Sequence, residues 1–180
     1  MNILFVAAEA TPLIKVGGLA DVTGSLPGAL NALGHDVRTI LPKYSGINLN
    51  KDKFESIKRL FTLSSGQPEE ALTLWQCKTV NGSIFYLIEN DNYFATKEIY
   101  GGKELNRFFF FDKAVMEVLP ELQWKPDVLH CHDWHTALMP LFLKKGNINI
   151  TSIITIHNLA YQGPFDNIFL KERLLKKPQQ

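Results

Sequence analysis

Residues 2–42 read NILFVAAEATPLIKVGGLADVTGSLPGALNALGHDVRTILP, and this stretch decides the fold. Residues 2–8 form a short apolar run, which predicts a buried strand. Residues 19–33 repeat apolar side chains at helical spacing, and residues 36–41 form a second strand-like run. Because the connections are short, this β-loop-α-β unit predicts parallel strands joined by a right-handed crossover.

The helix predicted over residues 19–33 contains a proline and is followed by a glycine. Pro27 predicts a kink or a division into two helices, because proline lacks the N–H that an inner turn requires. Gly34 is typical of the residue just past a helix C-terminus. We therefore expect the helix to end before the second strand begins.

The middle of the chain departs from this α/β pattern. Residues 72–80 and 83–89 are strand-like runs on either side of Asn81-Gly82, a pair that strongly favours a hairpin turn. We expect this hairpin at an edge of the sheet. Residues 90–103 follow as a polar loop with scattered aromatic side chains.

Regular alternation returns in the second half of the chain. The spacing predicts helices over residues 104–119 and 134–145, with a strand over residues 126–131 between them. Residues 150–156 are a continuous isoleucine-rich run, typical of a central parallel strand that is buried on both faces. The fold class is therefore predicted as α/β, with a Rossmann-like, doubly wound, mostly parallel sheet and an inserted β-hairpin.

Length and composition set the general class of protein. The 180 residues suffice for one well-buried domain, and a net charge of +1 offers no bulk attraction to nucleic acid or to an anionic membrane. Cys77 and Cys131 lack the spacing of a disulfide framework or a zinc site. No stretch is long enough to span a bilayer. We therefore expect a cytoplasmic protein with no membrane or nucleic-acid partner.

Ligands of doubly wound sheets bind outside the carboxyl ends of the strands, which selects three loops here. The first loop carries Lys15, Gly17 and Gly18 and leads into a helix. Glycines let backbone approach a ligand, and the N–H groups at a helix start suit a phosphate. A tight turn with no ligand is an equally good interpretation of the two glycines alone.

The second loop follows the strand at residues 126–131 and is rich in histidine. His130, His132, Asp133 and His135 lie within six residues, which resembles a metal site. The simpler interpretation makes His130 a core histidine and Asp133 the N-cap of the next helix. We expect no metal here and no other cofactor.

The third loop follows the isoleucine-rich run. His157 there lies at the mouth of the predicted sheet, where its ring can hydrogen-bond a sugar hydroxyl or a neighbouring carbonyl. Asn158, Tyr161 and Gln162 add neutral polar groups of the kind that suit sugars. Phosphate recognition in the first loop and hydroxyl recognition here are what glycosyl transfer from a sugar nucleotide requires.

These same residues carry a family resemblance. Residues 12–22, PLIKVGGLADV, resemble the Lys-x-Gly-Gly-Leu signature of bacterial glycogen synthases and plant starch synthases. Residues 130–136 are similar to the His-x-His-Asp-Trp-His stretch of that family, with Cys131 at a position where alanine is frequent. Residues 155–163, TIHNLAYQG, match a third family segment, and residues 93–101 resemble a fourth. The order and spacing of these segments hold across most of the chain.

The resemblance implies an enzyme of two Rossmann-like domains with the active site between them, the GT-B fold. The chain is then the N-terminal half of that fold. Residues 1–180 form a single, incomplete catalytic domain that lacks its C-terminal nucleotide-binding domain, which would be supplied in cis or in trans. The implied reaction transfers glucose from ADP-glucose to the non-reducing end of an α-1,4-glucan, glycogen or a maltooligosaccharide, with retention of configuration.

The resemblance also implies roles for particular residues. Asp133 and His157 would be catalytic, since they would hydrogen-bond the transferred glucose and stabilise its developing positive charge. Substrate-binding contacts to diphosphate, sugar or acceptor are implied for Lys15, Gly17, Gly18, Asp21, Tyr93 and Asn158.

Two other functions are compatible with the sequence. The chain is alternatively a sugar- or nucleotide-binding module, or one half of a split glycosyltransferase. A metal-dependent hydrolase would instead use the histidine cluster of His130, His132 and His135.

Overall fold

The structure is a computed structural model that describes residues 1–48, 59–63, 70–79, 82–164 and 166–174. Within these residues, seven strands form one sheet in the order β3-β4-β5-β2-β1-β6-β7. β4 is antiparallel to both of its neighbours, and every other pair whose register is described is parallel. The strands are β1 (Asn2–Val6), β2 (Asp36–Pro42), β3 (Arg59–Leu63), β4 (Glu70–Lys78), β5 (Ile84–Glu89), β6 (Val128–His132) and β7 (Thr151–Thr155).

Helices lie on both faces of the sheet, so the predicted α/β, doubly wound fold class is confirmed. The α-helices are α1 (Gly18–Ala32), α2 (Asp91–Phe94), α3 (Glu104–Val118), α4 (Met139–Lys145) and α5 (Asn167–Leu174). Two short 3-10 helices span Leu119–Glu121 and Trp134–Thr136. None of the described helices is long and apolar enough to cross a membrane.

β1 is the centre of the fold. Its side chains alternate between the two faces, and Leu4, Phe5 and Val6 are fully buried. Phe5 packs on the face that α1 covers through Leu26. Leu4 and Val6 belong to the larger core on the other face, which includes Phe108, Phe110 and Phe111 of α3.

The first β-loop-α-β unit is present as predicted, with one correction. α1 is a single uninterrupted helix, so the predicted division at Pro27 is wrong. Pro27 is buried within α1, and burial against the sheet holds the helix together despite the missing N–H. Gly34 has a φ of 88°, and its N–H donates to the Asn31 carbonyl, which confirms the predicted helix stop.

The predicted hairpin exists but is not an edge feature. β4 and β5 pair antiparallel, and β5 also pairs in parallel with β2, so β5 is an inner strand. Its residues 85–88 are buried, and strand neighbours on both sides make that burial possible. β3, which the sequence did not reveal, lies beyond β4 at the sheet edge. Asn81 lies outside the described residues, and Gly82 has the positive φ of 84° expected in such a turn.

Two predictions near the C-terminal side are wrong. The run over residues 150–156 was expected to be central, yet β7 pairs only with β6 among the described strands. Its Ile153 and Ile154 side chains are 48% and 44% exposed. An apolar run alone does not distinguish a central strand from an edge strand, because both need β-branched side chains.

The helix predicted over residues 134–145 is divided into a 3-10 turn and α4. Pro140 lies in the first turn of α4 and not in its interior. Proline suits that position because no inner hydrogen bond needs its missing N–H.

Candidate functional site

The loops after β1, β6 and β7 meet around one cavity of about 490 Å³ at the carboxyl ends of the strands. Five of the residues predicted as site residues line it, and five further residues complete its wall. The predicted ones are Gly17, Gly18, Asp133, His157 and Asn158; the others are Glu9, Leu19, Tyr100, His135 and Tyr161.

Glu9 organises the first of these loops. Its carboxylate is 1% exposed and accepts hydrogen bonds from the N–H groups of Val16 and Gly17 and, at 2.9 Å, from the Tyr100 hydroxyl. Burial, followed by the charge of Glu9, raises the pKa of Tyr100 well above its ordinary value, so this hydroxyl stays protonated as a donor. The carboxylate thus fixes the glycine loop to the loop that carries Tyr100.

The two glycines lie at the start of α1, on the wall of the cavity. Glu9 already binds the Gly17 N–H, so the N–H groups at the start of α1 are the ones left for a ligand. α1 begins at Gly18, and no side chain caps its first turn. This uncapped helix start opens on the cavity and favours an anion there.

Lys15 lies beside the cavity and does not line it. Its ammonium contacts the Asp21 carboxylate at 2.6 Å, and both side chains are about half exposed, at 52% and 55%. Asp21 thus holds Lys15 on the outer side of the glycine loop. An exposed pair of this kind is worth little energetically, so an anion in the cavity competes readily for the lysine.

Asp133 follows β6 in a strained backbone conformation. Its φ of 59° and ψ of −174° lie in a region that glycine almost alone occupies. Its side chain makes no cap bond, although it holds the N-cap position of the 3-10 helix. The carboxylate instead accepts the His157 N–H at 2.6 Å, and the Asp133 N–H donates to the Thr155 carbonyl at 2.9 Å. These two hydrogen bonds hold the loops after β6 and β7 together at the cavity, and they help to maintain the strained backbone of Asp133.

The histidines of β6 and of the turn that follows it do not converge on one point. His130 Nε2 lies 2.7 Å from the Thr155 hydroxyl, and His132 Nδ1 lies 2.9 Å from His157 Nε2. His135 packs on Tyr100 and other aromatic rings. Within the part of the chain that is described, no three histidine, cysteine or carboxylate side chains are grouped to hold a metal.

Burial keeps two of these histidines neutral. It lowers the pKa of His132 to about 3, with smaller effects from His130 and His157, and it alone lowers the pKa of His135 to about 3. The pKa of His130 is also lowered, by burial and then by His157. The cavity therefore presents the imidazoles of His135 and His157 and the carboxylates of Glu9 and Asp133, groups that suit hydrogen bonding to hydroxyls.

Tyr93 lies apart from the other predicted site residues. Its ring stacks on Phe110 with centroids 3.8 Å apart, and it lines a second cavity of about 560 Å³ together with Asp91 and Arg107. The structure thus brings five predicted residues to one cavity, leaves Lys15 and Asp21 beside it, and places Tyr93 at another.

Sequence reasoning assigned no role to Glu9 or Tyr100. The signal for Glu9 was available, since a carboxylate directly after a wholly apolar strand must find donors when it is buried. The sequence offered no comparable signal for Tyr100, because its loop contains several aromatic residues and nothing distinguishes one of them as a site residue. Tyr161 also gains a partner, as its hydroxyl donates to Glu104 at 2.6 Å. Burial and then this bond raise the pKa of Tyr161 to about 12.

With this geometry established, comparison with known proteins identifies the family. The family model for the starch synthase catalytic domain matches residues 2–179. Glycogen synthase of Clostridium beijerinckii is 41% identical over 181 residues, which is 96% of this chain and 37% of that protein. Glycogen synthase of Desulforamulus reducens is 43% identical over 183 residues, or 97% of this chain and 38% of that protein.

A solved structure agrees with these matches. The catalytic domain of Starch Synthase IV from Arabidopsis thaliana, bound to ADP and acarbose, superposes with a TM-score of 0.77 at 30% identity. The match covers 88% of this chain and 34% of that one. The chain belongs to the starch synthase catalytic domain family, a family of glycosyltransferases. It spans less than two fifths of the length of the curated relatives described above.

Proposed function

We propose that this chain forms the N-terminal part of a glycogen or starch synthase. The enzyme transfers glucose from ADP-glucose to the non-reducing end of an α-1,4-glucan with retention of configuration. The observation that carries the proposal is the single cavity where the glycine loop, Asp133 and His157 meet. The uncapped start of α1 suits a diphosphate, and the His157 imidazole and the Asp133 carboxylate suit the hydroxyls of a sugar.

Each predicted residue receives a role in this proposal. Asp133 and His157 hydrogen-bond the transferred glucose, and the Asp133 carboxylate stabilises the positive charge that develops at the anomeric carbon. Gly17 and Gly18 let the diphosphate approach the helix start, where Lys15 moves from Asp21 to neutralise it. Tyr93 and Asn158 provide further contacts to the sugar and the acceptor.

The cavity is one wall of a cleft in this proposal. The curated relatives are more than twice as long as this chain, and the GT-B fold implied by the resemblance places a second domain opposite the first. Residues 1–180 then form an incomplete N-terminal domain whose nucleotide-binding partner domain is supplied in cis or in trans. The chain alone is expected to bind substrate weakly and to incorporate no glucose.

Calorimetric titration of the 180-residue chain with ADP-glucose, and then with a maltooligosaccharide, tests the site. We expect weak binding that Lys15→Ala and His157→Ala abolish. Lys144→Ala is the matched control, because Lys144 is an exposed lysine of α4 outside the cavity. Binding that survives both site substitutions would place the ligand elsewhere and contradict the proposal.

Coexpression tests the missing half. The chain is produced with the C-terminal domain of a glycogen synthase relative, and incorporation of labelled glucose into glycogen is measured. We expect activity in the pair and none in the chain alone. Robust incorporation by the chain alone would show that one domain suffices and would overturn the two-domain part of the proposal.

A further inference from the structure

His132 is a fully buried histidine that the proposed reaction leaves without a role. Its ring lies edge to edge with that of His157, at an interplanar angle of 22° and with centroids 5.2 Å apart, and its Nδ1 lies 2.9 Å from His157 Nε2. Two neutral imidazoles share one proton across such a contact, so one ring donates and the other accepts. The direction of this hydrogen bond determines what His157 offers to a ligand.

The burial of His132 decides the direction. Its second ring nitrogen, Nε2, is buried and has no partner in the described part of the chain. If Nε2 carried the proton, a buried N–H would be left without an acceptor, and orphaned N–H groups are rarer in proteins than acceptors that lack a donor. The proton therefore belongs on Nδ1, from which His132 donates to His157.

The direction of this hydrogen bond leaves one tautomer for the neutral His157 ring. Its Nε2 accepts from His132, so in the neutral ring the proton is on Nδ1. No other part of the described chain bonds this Nδ1, and His157 lines the cavity. The His157 backbone is held as well, because its N–H donates to Asp133.

We infer that His132 is a positioning residue that fixes His157 in the Nδ1–H form, so that His157 presents a hydrogen-bond donor to the bound ligand. The role in glucose binding rests on the proposed function, whereas the protonation state does not. The ligand atom facing His157 is therefore an acceptor oxygen, as in a hydroxyl, and the neutral ring has no free nitrogen with which to take a proton from it. Burial, which lowers the pKa of His132 to about 3, supports this arrangement because it keeps the donating ring neutral.

Nuclear magnetic resonance reads the arrangement directly. The chain holds five histidines, so long-range correlation of ring protons with ring nitrogens resolves each imidazole in a ¹⁵N-labelled sample at mildly alkaline pH. We expect protonated Nδ1 in both His132 and His157, with a scalar coupling across the hydrogen bond between His132 Nδ1 and His157 Nε2. A proton on His157 Nε2 would overturn the inference.

Two substitutions of nearly equal shape test the role of His132. His132→Asn keeps an N–H donor where Nδ1–H lies, whereas His132→Leu removes it. We expect His157 to stay in the Nδ1–H form in the asparagine variant and to shift toward Nε2–H in the leucine variant. His157 unchanged in a folded leucine variant would overturn the positioning role. The coupling in the unsubstituted chain decides the question if the leucine variant does not fold.

A binding measurement separates this inference from the proposed function. Loss of one hydrogen bond should weaken maltooligosaccharide or ADP-glucose binding about five-fold in His132→Leu and leave His132→Asn unchanged. His135→Leu is the control for the protonation state, because His135 is buried nearby and makes no hydrogen bond to His157. Absence of any binding with Nδ1–H present would reject the proposed function and keep the inference. A proton on His157 Nε2 together with normal binding would reject the inference and keep the proposed function.

Discussion

Asp133 combines backbone strain with a predicted catalytic carboxylate. A conformation that glycine almost alone adopts costs a residue with a side chain about 1–3 kcal/mol. The hydrogen bond from the His157 N–H is of comparable size, since a bond to a charged group contributes about 1.5–3 kcal/mol.

The strain predicts an unusual order of stability among Asp133 variants. Asp133→Ala loses the hydrogen bond and keeps the strain, whereas Asp133→Gly loses the hydrogen bond and relieves the strain. We expect the glycine variant to be more stable than the alanine variant by about 1 kcal/mol in urea denaturation. Both should lose ADP-glucose binding. A glycine variant less stable than the alanine variant would show that the backbone is not strained in solution.

Glu9 is the second residue whose environment makes a sharp prediction. Glu9→Gln has the same size but replaces one of the two acceptor oxygens by an N–H₂ group, so either the Gly17 N–H or the Tyr100 hydroxyl loses its acceptor. We expect a loss of about 1–3 kcal/mol in the free energy of unfolding. Glu117→Gln on the exposed side of α3 is the matched control and should change it by less than about 0.5 kcal/mol. Equal effects of the two would contradict a structural role for the Glu9 carboxylate.

At the scale of elements, α1 contacts the first loop through a glycine. A side chain at Gly24 would overlap Thr11, whereas one at Gly28 of the same helix would meet nothing. Gly24→Ala should therefore destabilise the fold and displace the loop that carries Lys15. Gly28→Ala should stabilise it by about 0.5–1 kcal/mol, because alanine loses less freedom on folding.

Thermal unfolding of the two alanine variants checks the contact of α1 with the loop. We expect opposite shifts of the melting temperature in variants that differ only by one turn of helix. A loss of stability in both would mean that the helix, and not its contact with Thr11, is sensitive to the extra methyl group.

Element types were predictable from sequence, but element positions in the sheet were not. The glycine and proline signals and the helical spacing located α1 and α3 to within about two residues, because those patterns act locally. The placement of β5 inside the sheet and of β7 at its edge depends on which strands pair, and pairing is not written in either strand. The same holds for the site. The rule that ligands bind at the carboxyl ends of parallel strands predicted that the three loops meet, but the hydrogen-bond partners of Glu9 and His132 could be identified only in the folded chain.

At the scale of the whole molecule, buried histidines make stability depend on pH. The pKa values of His132 and His135 are lowered to about 3 from 6.5, so the unfolded chain binds more protons than the folded one in that window. Their contribution to stability is complete above pH 6.5 and is lost as the pH falls, by about 1.4 kcal/mol per pH unit for each ring. Burial raises the pKa of Asp112, so the folded chain binds a proton there that the unfolded chain does not. This proton opposes the two that the unfolded chain binds at His132 and His135, and it cancels up to one of them in the pH dependence of stability.

We therefore expect the free energy of unfolding to fall by roughly 1.4 kcal/mol per pH unit below pH 6.5. Urea denaturation between neutral pH and about pH 5 measures the slope. His135→Phe should flatten it, because phenylalanine fits the aromatic surroundings of His135 and binds no proton. A slope that persists in this variant would assign the titration to other groups.

We expect β7 to promote self-association of the chain. Ile153 and Ile154 are exposed, and among the described residues no strand pairs with the outer edge of β7, so that edge can add a strand from another copy. Light scattering should grow with concentration, and Ile154→Lys should suppress the growth. Leu33→Lys, at the exposed end of α1, should leave it unchanged. Suppression by both would mean that any apolar surface suffices.

The exposed edge of β7 therefore affects how the purified protein can be handled. Pairing of β7 with the same strand of another copy would shorten the shelf life of a concentrated stock. It would also lower the yield after refolding and limit the time available for a calorimetric or spectroscopic run. A single lysine on that rim is expected to extend each of them without touching the cavity.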